Sequence, residues 1–300
     1  MARLIPLTVV IPCYGREQKL ARAVNSVLIQ PVLPREIIIV DDGSPLPLKL
    51  PEFKDLGCHV KIIRLPVNSG AAEARNVGLQ ASKTDWVSFL DSDDWLLPNT
   101  MHLRWKFVSE EEMRAPLKGR TVYGCGWQDT LINGTVFRER TPYSVLGAAE
   151  YFRGCWFSPG SCVILNGREI LQRAGKVDVN LRRLEDYEWF IRIGLAGFTL
   201  KVQDIVAVAI ERGSNTNLEV VTTAAKLIRQ RVWELTISNP ERVSLRRSAE
   251  AYLLFEQAGS AWKEGNVRAF LKSIILSLLA RPRFRIYPML GWKIRFPKKH

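Results

Sequence analysis

Four short, almost uninterrupted apolar runs alternate with helix-patterned stretches in the first hundred residues, and that alternation limits the fold more than any other feature. The runs lie at 7–11, 36–40, 60–65 and 86–90. Helical patterning fills 16–29 and 71–81 and resumes near Asn99. A strand with one wet face carries polar residues at every second position. These runs largely lack that period, so both faces need cover, and a parallel sheet flanked by helices supplies it.

The pattern changes after residue 120. Strands are predicted at 121–126, 128–132 and 135–138, with Asn133-Gly134 as a hairpin turn. A strand at 161–165, a helix at 167–174, a helix at 185–195 stopping before Gly197, and strands at 198–202 and 205–210 follow. From Thr222 onward only helices are predicted, with 249–264 and 267–279 paired about Gly265-Asn266. The expected fold class is α/β: a Rossmann-like mixed sheet, largely parallel in its N-terminal half, with a C-terminal helical appendage. The expected division is a domain at 1–220 and a helical region at 221–300 that ends in a basic tail.

With 47% hydrophobic residues among 300, the chain can bury a sizeable core, which excludes a disordered or fibrous protein. Its five cysteines are odd in number and form no C-x-x-C pair. Neither a disulfide framework nor a zinc ribbon is expected, and reduced thiols fit a cytosolic compartment. No run approaches the roughly 18 apolar residues of a membrane span; residues 270–280 come nearest and contain Lys272. The run at 4–11 stops at Pro12 and does not read as a signal peptide.

The net charge of +13 reads either as that of a soluble basic protein or as the mark of an anionic partner: a phosphate-bearing substrate, nucleic acid or a membrane surface. No nucleic-acid reading element accompanies the charge, so nucleic acid is not expected. Residues 281–300 carry Arg281, Arg283, Arg285, Lys293, Arg295, Lys298 and Lys299 and no acidic residue. They read either as a solvated end or as a segment docking on anionic lipid, at roughly 1 kcal/mol per basic residue. Pro282 and Pro288 argue against one long helix lying on a membrane.

Parallel sheets bind ligands beyond the carboxyl ends of their strands. Pro12-Cys13-Tyr14 follows the first run, Asp41-Asp42-Gly43-Ser44 the second, Asn68-Ser69-Gly70 the third and Asp91-Ser92-Asp93-Asp94 the fourth. Three carboxylates at one strand end repel one another unless a cation or hydrogen-bond donors neutralise them. Oxygen-only ligands suit Mg²⁺ or Mn²⁺; the plainer reading is a helix N-cap. One aspartate of the Asp41-Asp42 pair reads as the acceptor for a nucleobase N–H or ribose hydroxyl, or as part of an ordinary turn. The small residues from Asn68 through Gly70 to Ala72 would let backbone amides approach an anion at a helix start. Arg75, one turn in, would pair with a diphosphate, with the carboxylate cluster, or in a surface salt bridge. Glu185 and Asp186 open a largely apolar helix, as a general base or as favourable charge at a helix dipole. His59, His102 and His300 form no ligand pattern.

The segments VVIPCYGREQKLARAVNSVLIQ, EIIIVDDGS, NSGAAEARNVGL, WVSFLDSDDWLLPNT, GSCVILN and LEDYEW stand in the order and spacing of a family 2 glycosyltransferase, and the resemblance covers residues 7–212. It implies a GT-A fold and transfer of one sugar, with inversion, from a nucleotide-diphosphate sugar to a hydroxyl acceptor. Pro12, Tyr14 and Asp41 would line the nucleoside pocket. Asp42, Asn68, Gly70, Ser92 and Glu185 would complete the substrate site, with Arg75 near the diphosphate. Asp91-Ser92-Asp93 matches the family's DxD motif, so Asp93 would be the direct metal ligand and Asp91 a ribose contact or second ligand. Asp186 would be the catalytic base.

Three departures stand out. Gly15 replaces a frequent Asn; Glu211-Arg212-Gly213-Ser214 offers no histidine as a third metal ligand; and Gln230-Arg231-Val232-Trp233 lacks the Q-x-x-R-W spacing of processive synthases. A single addition is therefore expected, in cell-surface polysaccharide or glycolipid assembly. The expected donor is a UDP-sugar, with thymidine and guanosine nucleotides as alternatives. The expected acceptor is a carbohydrate or lipid-linked molecule. The expected location is the cytoplasm, peripheral on the inner membrane face through the basic tail. The competing readings are a catalytically inactive nucleotide-sugar-binding protein and a nucleotidyltransferase. The latter usually has a more glycine-rich loop after the first strand.

Overall fold

The computed structural model describes residues 3–49, 57–213 and 217–281 and the backbone of 293–295. β1 (Arg3–Cys13), β2 (Val32–Asp41), β3 (His59–Arg64) and β4 (Trp86–Phe89) are parallel, side by side in the order β4-β1-β2-β3. The register sets Val10 opposite Ile38 and Val9 opposite Ser88. Alternate side chains point to opposite faces. Leu7, Val9 and Ile11 pack with α1 (Glu17–Leu28) and α3 (Met101–Arg114). Val10, Ile38 and Val40 pack with α2 (Ala71–Ala81) and α6 (Glu185–Leu195). Each fully buried aliphatic side chain contributes about 1.5–3 kcal/mol, which is why near-continuous apolar strands need both helical layers.

The sheet becomes mixed beyond β4. β8 (Val163–Asn166) lies antiparallel to β4, β6 (Thr121–Thr130) antiparallel to β8, and β7 (Val136–Thr141) antiparallel to β6. β9 (Thr199–Glu211) runs parallel to β6, and the two-residue β5 (Trp95–Leu96) pairs with β9. Short helices α4 (Ala148–Tyr151) and α5 (Gly167–Arg173) cover this part. The predicted parallel half, mixed sheet and helical end are all present.

Several boundaries differ. The strands predicted at 121–126 and 128–132 are one strand, β6, and those at 198–202 and 205–210 are one strand, β9. The apparent breaks are register shifts around Cys125, Gly126 and Trp127. A side chain at Gly126 would sit 2.7 Å from the Arg140 carbonyl oxygen and 2.9 Å from that of Ile205, so the glycine permits close strand approach rather than ending a strand.

The C-terminal helices α7 (Leu218–Leu235) and α8 (Arg242–Lys263) share a third core cluster with α6, joining Leu184, Tyr187 and Ile191 to Val221, Ile228, Leu245 and Leu253, and α9 (Val267–Ala280) packs on α8, where the Ser277 hydroxyl donates to the Ala251 carbonyl at 2.7 Å. Position 220 falls inside α7. The α8–α9 turn has Gly265 at φ 72° and Asn266 capping α9 through the Ala269 amide. One prediction is corrected: the end is not helical only, because β10 (Lys293–Arg295) adds antiparallel to β7. The rest of the basic tail, 282–292 and 296–300, with Pro282, Pro288 and His300, lies outside the described residues, as does Ser214. Among the described residues no helix is long and apolar enough to cross a membrane. All five cysteines are free thiols.

Candidate active site

The loop after β4 and the start of α6 face one cavity of about 810 Å³, lined among others by Arg75, Asp91, Asp93, Asp94, Glu185 and Asp186. Arg75, on α2, spans the two sides. Its Nη2 donates to Asp91 Oδ1 at 2.7 Å and its Nη1 to Glu185 Oε1 at 3.0 Å. Burial pulls the Arg75 pKa down, but Asp91, Glu185 and Asp186 carry it above its ordinary value. Arg75 thus pairs with the carboxylate cluster in a buried setting, not in a surface salt bridge.

Asp186 lies at the N-terminal turn of α6, after Leu184 in the left-handed region at φ 60°. That conformation costs a leucine roughly 1–2 kcal/mol. Burial first, then the Glu185 charge, push the Asp186 carboxyl up to about 6, against the opposing pull of Arg75 and the Tyr187 amide. Raised carboxyls in a cavity are a signature of acid–base sites.

The β4 loop is tied at several points. Asp93 pairs with Arg16, and its backbone carbonyl accepts from Arg22 at 2.7 Å. Asp94 is buried, accepting from Ser161 Oγ at 2.6 Å and from the Glu211 amide at 3.1 Å. Burial and the charges of Asp91 and Asp93 push its carboxyl well above the usual range. The N-cap alternative for this cluster does not hold, because α3 starts at Met101 and the Gln30 side chain accepts from its first amides. Ser92 is buried and hydrogen-bonded to the Cys13 thiol, outside the cavity lining.

The other strand ends are bound to one another. Asp41 accepts from Arg64 Nη1 at 2.6 Å and from the Ser44 amide at 2.9 Å. Asp42 accepts from the amides of Ser69 and Gly70 at 2.7 and 2.8 Å. The anion held by the amides before α2 is therefore the chain's own Asp42. Gly43, at φ 66°, would place a side chain 2.4 Å from the Val67 backbone, so this crossing of loops requires glycine. Pro12 is buried, while Tyr14 is 46% exposed and Asn68 is exposed. Pro12, Tyr14, Asp41, Asp42, Asn68 and Gly70 gather beside the cavity without lining it. His59 and His102 do not line it either.

Several lining residues lay beyond the sequence reading. Glu211, at the end of β9, is buried against Lys19 at 2.5 Å and Arg22 at 2.8 Å, which hold it below the usual carboxylate range despite its burial. It opens the Glu211-Arg212-Gly213-Ser214 segment, which has no histidine. Gly160 lies against Asp91: a side chain there would come within 2.5 Å of Oδ2. Asp129, fully buried on β6 and not itself part of the lining, is shared by the lining residues Arg138, Arg140 and Arg212. The i, i+2 arginines of Arg138-Glu139-Arg140 were a visible signal that they share a sheet face.

The donors suit a hard divalent cation. Asp91 and Asp93 offer only oxygens, each now ion-paired, with Arg75 and Arg16 respectively. Among the described residues no set of three or more His, Cys, Asp or Glu side chains is arranged to hold a metal. Two carboxylates with substrate phosphates completing the shell is a usual Mg²⁺ arrangement.

A family model described as glycosyl transferase family 2 matches residues 8–168. An uncharacterized glycosyltransferase of Haemophilus influenzae is 38% identical over 92 residues, which is 31% of each chain. A pre-mycofactocin glycosyltransferase of Mycobacterium tuberculosis is 40% identical over 87 residues, 29% of this chain and 17% of that one. The match thus spans about a third or less of these relatives' lengths. The crystal structure of S. aureus TarS 1-349 superposes with a TM-score of 0.56 at 17% identity, covering 99% of this chain and 98% of that one. That protein was also solved with UDP-GlcNAc, with a TM-score of 0.55. The likeness to TarS is one of fold: a mixed α/β sheet with a helical C-terminal region.

Proposed function

The chain belongs to glycosyl transferase family 2, and from that premise we propose that it moves one sugar from a nucleotide-diphosphate sugar to a hydroxyl acceptor with inversion. The observation that carries this reading is the single cavity onto which both the Asp91–Asp93 loop and Asp186 open, with Arg75 between them. A donor diphosphate on the loop side puts the anomeric carbon between leaving group and acceptor. Asp186 then takes the acceptor proton on the opposite sugar face, and one in-line displacement inverts the centre. A carboxyl near 6 is ionised at neutral pH and still basic enough for the task.

Asp93, with Asp91 as second ligand, would hold Mn²⁺ or Mg²⁺. When bound, the ion supplies charge stabilisation to the leaving diphosphate. Arg75 orients Asp91 and Glu185 and adds a cation beside the diphosphate. Tyr14, Pro12 and Asp41 border the nucleoside side, with Asp42, Asn68 and Gly70 shaping the loops and Ser92 fixing the base of the motif. TarS with UDP-GlcNAc supports a UDP-sugar donor. Residues 1–220 form the transferase domain in this reading, and 221–300 the helical appendage.

The acceptor is a carbohydrate or lipid-linked molecule of cell-surface polysaccharide or glycolipid assembly, met at the inner face of the membrane. Support comes from α9, which exposes Leu271, Ile275, Leu276 and Leu279 beside Arg268 and Lys272, ahead of the basic tail. Such a face with flanking cations suits an anionic lipid surface.

The test is transfer from a panel of nucleotide sugars with and without Mn²⁺. Turnover with at least one donor is expected. Asp93→Ala is expected to weaken metal-supported donor binding about tenfold or more, the loss of a charge-assisted contact. Donor affinity that is identical with and without metal would refute the ion's assignment.

A further inference from the structure

The cavity contains two opposite charge inversions. On the Asp91 side one arginine, Arg75, serves two carboxylates. On the β6–β7 side one carboxylate, Asp129, serves three arginines: Arg138 at 2.8 Å, Arg140 at 2.9 Å and Arg212 at 2.6 Å. All three arginines line the cavity. The arrangement follows from the fold. Asp129 pairs directly across the ladder with Arg138, Arg140 follows two positions on and shares its face, and Arg212 leaves the end of β9, which is parallel to β6.

Glu211, next to Arg212, is committed to Lys19 and Arg22. Asp129 itself is fully buried and also accepts from the Trp127 indole at 3.1 Å. Even with Arg140 set aside, Arg138 and Arg212 bring one more cation than anion to this wall. Their contacts to Asp129 are made through Nε, and a guanidinium has four further N–H donors in a planar fork that matches phosphate.

We infer that Arg138, Arg140 and Arg212 form an acceptor subsite for a phosphate ester, so that the molecule receiving the sugar carries a phosphate group near its reacting hydroxyl. The inference rests on the transferase reading for the word acceptor, and on the Asp129-centred cluster for the phosphate. The donor diphosphate is assigned elsewhere, to the Asp91–Asp93 loop and Arg75. Asp129 holds the three arginines together and partly neutralised when the ester is absent. The phosphate replaces that missing negative charge when it binds.

The experiment is calorimetric titration of the full chain with glycerol 3-phosphate, with glycerol, and with UDP, for the natural protein, Arg138→Gln/Arg212→Gln and Arg138→Lys/Arg212→Lys. Glycerol 3-phosphate is expected to bind the natural protein both with and without saturating UDP, and glycerol is not. The Gln pair should weaken glycerol 3-phosphate at least tenfold and leave UDP affinity within about twofold. The Lys pair, which keeps the charge, should recover part of the loss and guards against misfolding of the Gln pair. Vesicles containing phosphatidylglycerol form a second arm: binding of these but not of glycerol 3-phosphate, lost in the Gln pair, assigns the phosphate to a lipid carrier. Equal loss of UDP and glycerol 3-phosphate in the Gln pair would assign the arginines to the donor and overturn the inference. So would unchanged binding of both probes in every variant. Failure of the natural protein to bind UDP counts against the donor reading alone, because the phosphate-ester titration is read separately.

Discussion

Arg75 holds Asp91 at 2.7 Å through one terminal nitrogen while its other terminal nitrogen holds Glu185 at 3.0 Å, so one side chain of α2 connects the loop after β4 to the start of α6. The contact is mostly shielded from water, with the Arg75 side chain 11% exposed. Removing one partner of a shielded ion pair leaves the others uncompensated. Arg75→Met is expected to destabilise the chain by about 2–4 kcal/mol. Arg75→Lys, which cannot fork between two carboxylates, should fall between. Urea denaturation reads this; a loss below half a kilocalorie in Arg75→Met would show that the bridge does not hold the two segments.

The Asp186 carboxyl, pushed up to about 6 by burial and the Glu185 charge, sets a pH profile. A base works in its ionised form, so kcat/KM should fall about tenfold per unit below pH 6 and level off above it. The stability sign is opposite to that of a salt-bridged carboxylate. The folded chain holds this proton more tightly than the unfolded one, so this contribution to stability declines as pH rises from about 4 to about 6. A rate profile that is flat between pH 5 and 8 would contradict the base assignment.

Gly160 sets the position of Asp91. Its added methyl would lie 2.5 Å from Asp91 Oδ2. Gly160→Ala should therefore displace the carboxylate and lower kcat/KM by roughly ten- to a hundredfold, the scale of a misplacement near 1 Å. Gly147→Ala, which meets nothing within 4 Å, is the control and should be silent. Equal activity of the two variants would show that the Asp91 position is not critical.

The exposed apolar face of α9 predicts a second phenotype. Ile275 and Leu279 are 55% and 69% exposed. Ile275→Glu/Leu279→Glu should reduce co-sedimentation with anionic vesicles and leave nucleotide binding intact. The natural chain remaining in the supernatant with such vesicles would dispose of the membrane reading.

The parallel half of the fold was legible because its strands are apolar on both faces and its helices start and stop at clear signals; α2 and α6 run as read, over 71–81 and 185–195. The mixed half was less so. Gly126 and the polar pair Gln203-Asp204 look like strand breaks, yet they sit at register shifts inside β6 and β9. β5 is two residues long and exists only because β9 pairs with it, and β10 likewise depends on β7. In the site, the carboxylates at Asp91, Asp93, Glu185 and Asp186 were found because acidic residues cluster at element ends. Glu211, Gly160 and Asp129 were not, because each matters through a partner distant in sequence: Lys19 and Arg22, Asp91, and Arg212.

Replacing Asp186 by Asn removes the proposed acceptor-side base while keeping its size, and transfer and donor binding can be followed in one preparation. Sugar transfer in Asp186→Asn should drop by about 10²- to 10⁴-fold, with the dissociation constant of the nucleotide sugar unchanged within about twofold. Transfer at the natural rate in Asp186→Asn, with the chain folded and the donor bound, would contradict the reading of this cavity as the place where the acceptor loses its proton.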